Sequence, residues 1–302
     1  MIYFQNLVLG NRNRRTKNLT ETTPFFIIGS GRNGSTLLAR LLNEHPQIFL
    51  PPEQFAMPHI IFRWHFFRFW PWGKFCKKAL ELFSKNNQNW NMTKEEKQKT
   101  LDELNSLQPL YRNAANAINT IFTTFGKLRQ QKFSLWGDHT SLSTSFVPLI
   151  LKEFPEAKFI FLVRDPRDVV LSYSKIEGHP AQEPIKSAKK WKNSIQTYKW
   201  LKEKHPEKVM YLRYEDLVTN TEIQLKEICS FIGMSQADLF PTPNEHEKVR
   251  DRLGTEGKAH HENVYLSVSA NAIEKWKTEL EPKTLEKVEK ITRKAAESFG
   301  YK

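Results

Sequence analysis

Short apolar runs alternate with amphipathic stretches along most of the chain. Residues 24–29 (PFFIIG), 158–163 (KFIFLV) and 209–214 (VMYLRY) are rich in aromatic and β-branched residues, and each predicts a buried strand. Apolar residues at helical spacing follow these runs, as in 221–233 (TEIQLKEICSFIG), where Gly233 ends the predicted helix. This alternation predicts an α/β fold with a parallel sheet flanked by helices.

Two stretches depart from the alternation. Residues 55–130 have mostly helical patterns and predict a helical insertion after the first strand–helix unit. Inside it, 59–75 (HIIFRWHFFRFWPWGKF) is dense in aromatic and basic residues. A buried helix is the simplest interpretation, but an apolar acceptor pocket, an interfacial membrane helix or a site for single-stranded nucleic acid also fits. Residues 241–270 lack periodicity and predict a long loop. We expect an arm over 1–23 and one domain over 24–302.

The bulk composition narrows the compartment and the kind of ligand. The 302 residues carry a net charge of +13, which favours an anionic ligand or surface without choosing between nucleic acid, membrane and small phosphorylated molecules. Cys76 and Cys229 match no metal-site spacing and no disulfide framework, so a reducing compartment fits. The sequence contains neither a long apolar run nor the charges-first order of a secretory signal, and it therefore predicts a cytoplasmic protein.

A glycine-rich loop joins the first predicted strand to the next helix. In residues 27–42 (IIGSGRNGSTLLARLL), Gly29 and Gly34 have the separation of the Walker glycines. The Walker lysine is absent, however, and Ser35 stands in its place. The glycine spacing predicts a P-loop-type sheet. A nucleoside triphosphate is a poor ligand for this loop, however, because the lysine normally contacts the β- and γ-phosphates.

The same loop suits the terminal phosphate of a nucleotide. Its N–H groups and the positive end of the helix dipole attract an anion, and Ser35 and Thr36 add hydroxyl donors. Arg32, inside the loop, can lie against the oxygen that bridges this phosphate to a transferred group. A turn that binds nothing is the simpler alternative.

The second candidate motif follows the strand at 158–163. The segment 161–175 (FLVRDPRDVVLSYSK) places Arg164 at the strand end and Ser172 on the next helix. An arginine and a hydroxyl together predict a second phosphate site, although an Arg–Asp ion pair on a surface helix is also common. Two anion sites at the carboxyl ends of parallel strands fit one ligand that carries two separate phosphates.

In this order and after strands, the two motifs resemble those of the superfamily of sulfotransferases that use 3′-phosphoadenosine 5′-phosphosulfate (PAPS). The chain looks most similar to the tyrosylprotein-sulfotransferase-like and bacterial branch. The segments 43–55 (NEHPQIFLPPEQF), 212–217 (LRYEDL) and 272–280 (AIEKWKTEL) add to the resemblance, which covers most of the chain from Pro24 onward. It implies a single sulfotransferase domain over 24–302, PAPS as co-substrate and no metal.

The resemblance also implies residue roles. Glu53 is the expected general base, and Arg32 with the loop N–H groups is expected to stabilise the charge on the leaving phosphate. The implied donor-binding residues are Arg32, Asn33, Gly34, Ser35, Thr36, Arg164, Ser172, Tyr214, Lys258 and Lys275. An acid in the first turn of a helix is the alternative interpretation of Glu53, and a solvated lysine is that of Lys258.

The chain departs from the resemblance at two points. In 136–141 (WGDHTS), many relatives carry a lysine where this chain has His139. Histidine can donate a hydrogen bond or act as a base near neutral pH, so His139 can share or replace the role of Glu53. A further cation for the 3′-phosphate is expected about one turn after Ser172, and Lys175 is the nearest candidate.

The predicted function is transfer of a sulfuryl group from PAPS to an acceptor hydroxyl. Peptide tyrosine, carbohydrate, lipid and small molecule all remain open as acceptors, since fold analogy does not choose a substrate. No nucleic acid partner is expected, and 59–75 can make peripheral membrane contact. The alternatives are a catalytically inactive nucleotide-binding or membrane-surface module, and a P-loop kinase, against which the absent lysine argues.

Overall fold

The computed structural model describes residues 17–18, 23–67, 69–85, 90–129, 132–235, 268 and 270–302. Most of the expected arm over 1–23 lies outside the described residues. Lys258 and most of the predicted loop over 241–270 lie outside them too.

A parallel sheet of five strands forms the centre of the fold, in the order β2-β3-β1-β4-β5. The strands are β1 (Phe25–Ile28), β2 (Ile48–Phe49), β3 (Leu135–Asp138), β4 (Lys158–Val163) and β5 (Val209–Arg213). The predicted strands at β1, β4 and β5 are confirmed, and the parallel α/β fold with them. Because β1 pairs directly with β4, the two predicted phosphate motifs leave the sheet side by side at one edge.

Helices surround this sheet. They are α1 (Ser35–Asn43), α2 (Met57–Phe66), α3 (Trp72–Lys85), α4 (Lys94–Ser106), α5 (Ala114–Leu128), α6 (Val147–Glu153), α7 (Pro166–Ser174), α8 (Pro184–Lys204), α9 (Tyr214–Thr219), α10 (Thr221–Ile232), α11 (Trp276–Glu279) and α12 (Pro282–Glu297). Within the described part of the chain, none has both the length and the apolarity that a membrane crossing needs.

Both faces of the sheet are buried, which explains why its strands are continuous apolar runs rather than alternating ones. Successive side chains of a strand point to opposite faces. Phe26 and Ile28 accordingly join one core cluster, whereas Phe25 and Ile27 join another. The sheet is thus held rigidly between two apolar layers, and its carboxyl edge is a fixed platform for the loops.

The helical insertion after the first strand–helix unit is present as α2 to α5. The simplest interpretation of 59–75, a buried helix, holds only in part, because α2 ends at Phe66 and α3 begins at Trp72. Trp64 is buried, but Phe66 is 60% and Phe69 is 85% exposed. Exposed aromatic side chains therefore cluster where α2 ends, which is unusual for a globular domain.

Candidate active site

The glycine-rich loop between β1 and α1 has the backbone shape that its sequence predicts. Gly31 (φ 73°) and Gly34 (φ 96°) are left-handed, and a Cβ at Gly31 would lie 2.4 Å from the hydroxyl of Tyr173. At Gly34 a Cβ would lie 2.5 Å from the ring of Tyr214. Arg32 also has a positive φ of 54°, which is uncommon for a residue with a side chain and is typical of functional sites.

We expect Gly34→Ala to destabilise the protein more than Gly233→Ala does. Both positions have a positive φ, which costs alanine about 1 kcal/mol. Only at Gly34 would the methyl group also meet Tyr214, since nothing lies within 4 Å of it at Gly233. Overpacking adds about 1–3 kcal/mol. Urea unfolding of both variants measures the difference, and equal losses would contradict the close packing of the loop against Tyr214.

The first turn of α1 offers the donors that an anion needs. Gly34 caps the helix without a side-chain hydrogen bond, and the first turn contains no acidic residue. Ser35 and Thr36 are buried there. Unsatisfied N–H groups and the positive end of the dipole therefore meet at one point.

Asn33 has a different task from the one its position predicts. Its side-chain amide donates to the carbonyl of Leu162 on β4 at 2.6 Å, and the residue is buried. The side chain therefore fastens the loop to the sheet. Its Oδ1 is buried and has no hydrogen-bond partner among the described residues.

Arg164 lies directly after β4, as predicted, and links several elements. Its Nη1 donates to the carbonyl of Arg32 at 3.3 Å, and its Nη2 donates to that of Ala272 at 2.5 Å. The guanidinium lies over the ring of Tyr214, 4.6 Å from its centre. Its Nε is buried and has no hydrogen-bond partner among the described residues. An orphaned donor on a buried cation fits an anionic ligand.

The structure joins the two motifs through their side chains. Nε of Arg32 donates to Oγ of Ser172 at 3.0 Å. Asp165 caps α7 by accepting from the N–H of Arg167, which confirms the predicted helix start and places Ser172 on the last turn. Arg32, Arg164 and Ser172 thus belong to one constellation.

The predicted late lysine lies at the margin of this constellation. Asp168 on α7 accepts from the N–H groups of Glu274 and Trp276 at 2.9 and 3.0 Å, and this contact ties the segment 270–276 to the second motif. The side chain of Lys275 is nevertheless exposed. Lys175 is exposed as well and pairs with Glu279 at 2.5 Å. Neither lysine is brought to Arg164 by a described contact.

Glu53 and His139 lie on two segments that are held together. The neighbouring Gln54 donates from its backbone to the hydroxyl of Thr140 at 2.8 Å and from its side chain to Asp138 at 3.3 Å. His139 is 1% exposed and follows β3 directly. Glu53 precedes the cap of α2, whose first turn holds no acid, so the alternative of a helix-terminal acid is wrong.

Electrostatics connects Glu53 to the phosphate loop. Burial lowers the pKa of Arg32, while the nearby Tyr173 and Glu53 oppose this shift and Arg164 adds to it. Glu53 therefore lies close enough to stabilise the charge of Arg32. A carboxylate beside a phosphate loop is well placed to accept a proton from a bound substrate.

Two residues at the site were missed from the sequence. The hydroxyl of Tyr173 donates to the carbonyl of Ser30 at 2.8 Å, and Nζ of Lys190 on α8 donates to Tyr173 at 2.8 Å. Burial lowers the pKa of Lys190, against the influence of Glu53. Lys190 stands among the many lysines of α8, and no local pattern in the sequence separates it from solvated lysines.

The charges together favour an anion. Arg32, Arg164 and Lys190 gather around the loop, with Glu53 as the carboxylate that interacts with both Arg32 and Lys190. Such an excess of positive charge, buried at Arg164 and partly buried at Arg32 and Lys190, attracts anionic substrates. Among the described residues, no group of three or more His, Cys, Asp or Glu side chains is arranged to hold a metal ion.

Similar proteins carry sulfotransferase names. A protein-tyrosine sulfotransferase of Drosophila melanogaster is 24% identical over 76% of this chain and 42% of its own length. Protein-tyrosine sulfotransferase A of Caenorhabditis elegans is 24% identical over 87% of this chain and 63% of its own length. The match thus spans less than two thirds of either relative.

Solved structures share the fold. The sulfotransferase domain of a Synechococcus olefin synthase has a TM-score of 0.60 and 20% identity, covering 96% of this chain and 99% of that domain. The sulfotransferase domain of the curacin biosynthetic pathway has a TM-score of 0.58 and 21% identity, covering 93% and 99%.

One family of proteins matches in sequence over residues 24–238, and it is described as the sulfotransferase family. The match includes both phosphate motifs, Glu53 and His139, and it extends over more than half of the chain. The chain belongs to the sulfotransferase family.

Proposed function

We propose that this protein transfers a sulfuryl group from PAPS to the hydroxyl of an acceptor. Membership of the family supports the reaction class and argues against a kinase. The observation that carries the proposal is the bond between Arg32 and Ser172, with Arg164 beside them. It joins the two proposed anion-binding motifs into one site, as a nucleotide with separate 5′ and 3′ phosphates requires.

The donor is proposed to bind along both motifs. The loop N–H groups from Asn33 onward, with Ser35 and Thr36, hold the 5′-phosphosulfate. Arg164 and Ser172 hold the 3′-phosphate, and the unpaired Nε of Arg164 supports this role. Tyr214, which stacks on Arg164, lies beside the nucleotide. The expected contacts from Lys258, outside the described residues, and from the exposed Lys275 remain predictions.

The proposed chemistry is an in-line displacement. The acceptor oxygen forms a bond to sulfur, the bond from sulfur to the 5′-phosphate oxygen breaks, and adenosine 3′,5′-bisphosphate leaves. Glu53 takes the proton of the acceptor hydroxyl. Arg32 stabilises the negative charge that grows on the leaving phosphate, so the mechanism assigns no step to a metal. His139 is the competing base, since its segment is tied to that of Glu53.

The acceptor class is proposed from the relatives. Two of them are named protein-tyrosine sulfotransferases, so a peptide tyrosine is the first acceptor to test, before carbohydrate, lipid and small phenols. The exposed aromatic surface around Phe66 and Phe69 supports an apolar acceptor or peripheral membrane contact through 59–75. A cytoplasmic location stays a prediction.

We expect adenosine 3′,5′-bisphosphate to bind in calorimetry, and ATP with magnesium to bind far more weakly. Arg164→Ala should weaken the bisphosphate about 100-fold, because charge-assisted hydrogen bonds to a phosphate are lost. Arg293→Ala is the control, since that arginine is exposed and pairs only with Glu289 among the described residues. Preference for ATP, or binding of neither nucleotide, would contradict the two-phosphate site. Radiolabelled PAPS with a tyrosyl peptide then separates an enzyme from an inactive binding module.

A further inference from the structure

Lys190 is held at the carboxyl edge of the sheet by its neighbour on α8. The ring of Trp191 is fully buried, and its Nε1 donates to the carbonyl of Arg164 at 2.9 Å. This bond fixes the register of α8 against the end of β4. Lys190 is consequently placed beside the second phosphate motif by a rigid helix rather than by a loop.

The hydrogen bonding of Lys190 is incomplete among the described residues. An ammonium group has three N–H donors, and one of them is bound to the hydroxyl of Tyr173 at 2.8 Å. That hydroxyl in turn donates a hydrogen bond to the backbone carbonyl of Ser30 in the glycine-rich loop. No other hydrogen bond from the ammonium group to the described residues is present, so two of its donors remain for a ligand.

The surroundings of Lys190 are those of the proposed reaction. Glu53, Tyr173 and Arg32 face it from three other segments, and His179 interacts with it as well. Burial lowers the pKa of Lys190, and Arg32 lowers it further, whereas Glu53 raises it. A cation that burial disfavours, beside another cation, gains most when an anion is bound between them.

We propose that Lys190 is a catalytic residue whose ammonium group binds the sulfuryl oxygens of the donor during transfer. This inference rests on the proposed function. Lys190 keeps its proton throughout. It neutralises charge on the non-bridging oxygens while sulfur bonds to the acceptor oxygen, the bond to the 5′-phosphate breaks, and the acceptor proton goes to Glu53. Arg32 acts on the leaving phosphate, so the two cations act on different oxygens.

The binding test compares two nucleotides that differ by the sulfuryl group alone. We expect Lys190→Met to weaken PAPS about tenfold, the size of one charge-assisted hydrogen bond, and adenosine 3′,5′-bisphosphate less than threefold. Lys189→Met is the control, because that neighbouring lysine is exposed. The proposal would be overturned if Lys190→Met weakened the binding of both nucleotides equally, or if it weakened the binding of neither. If the wild-type protein binds the bisphosphate but Lys190→Met does not distinguish the two nucleotides, the role of Lys190 is overturned while the proposed function stands.

The kinetic test uses the tyrosyl peptide as acceptor. Lys190→Met should lower the turnover number about 100-fold, as expected for removal of one donor to a developing anion. In the wild type, turnover should fall on the alkaline side as Lys190 loses its proton, below the ordinary lysine value of 10.5. Lys190→Arg should keep at least a tenth of the activity and move this fall to higher pH, since arginine stays charged. An unchanged alkaline limb in Lys190→Arg would overturn the role, and a wild type without turnover on any acceptor would overturn the parent function too.

Discussion

Replacing Arg32 by alanine is expected to lower the turnover number about 100- to 1,000-fold, the usual effect of removing one preorganised donor to a developing anion. Arg32 is partly buried, its Nε is bound to Ser172, and it lies near Glu53. Its charge is therefore fixed where the proposed leaving phosphate gains negative charge. The affinity for adenosine 3′,5′-bisphosphate should fall less than tenfold, because Arg164 and the loop N–H groups are retained.

A second variant separates the side chain from the backbone. Arg32 has a φ of 54°, a conformation that alanine adopts at a cost and glycine adopts freely. Arg32→Gly should therefore be as inactive as Arg32→Ala and yet unfold at higher urea concentration. Steady-state kinetics and bisphosphate calorimetry on both variants provide the measurement. An unchanged turnover number together with a large loss of affinity for the bisphosphate would make Arg32 a binding residue only.

Glu53→Gln is expected to lower the turnover number about 100- to 10,000-fold, the range for loss of a general base. Glutamine keeps the shape of the side chain but accepts no proton. A base works only in its unprotonated form, so wild-type activity should fall toward acid pH, and this fall should disappear in Glu53→Gln. The measurement is the pH dependence of kcat with the tyrosyl peptide as acceptor.

Two comparisons make the result specific to Glu53. Glu203→Gln is the matched control, because Glu203 is exposed near the end of α8 and distant in sequence from both motifs. His139→Asn tests the competing base, since His139 lies between Asp138 and Thr140, which both bind Gln54. If His139→Asn removes the acid limb while Glu53→Gln leaves turnover intact, the base is His139 and the assignment of Glu53 is wrong.

The sequence predicts the platform of the site well, because local patterns determine it. Apolar runs give β1, β4 and β5, and the cap at Asp165 gives the start of α7. The contacts that join these elements are tertiary, and local patterns do not determine them. β2 has two residues, too few for a pattern to register, and the bond of Asn33 to Leu162 spans 129 residues.

Lys190 illustrates the same limit. Its role depends on the hydroxyl of Tyr173 and on the buried ring of Trp191, neither of which a lysine-rich helix reveals. The aromatic segment over 59–75 fails for another reason. The aromatic composition favours burial there, but the helix is interrupted between α2 and α3, and Phe66 and Phe69 lie outside the core.

The position of β1 in the sheet has a consequence for how the protein is made. Phe25 pairs with Gly137 on one side and with Lys158 on the other, so the strand cannot complete its ladders until well over a hundred further residues have left the ribosome. Pairing at such separation is slow, because a long loop must close first. The glycine-rich loop gains its hydrogen bond from Tyr173 to the carbonyl of Ser30 only once α7 is in place. Under the proposed function, retention on immobilised bisphosphate should therefore select chains that have finished folding, and fragments ending before α7 are expected to flow through such a column.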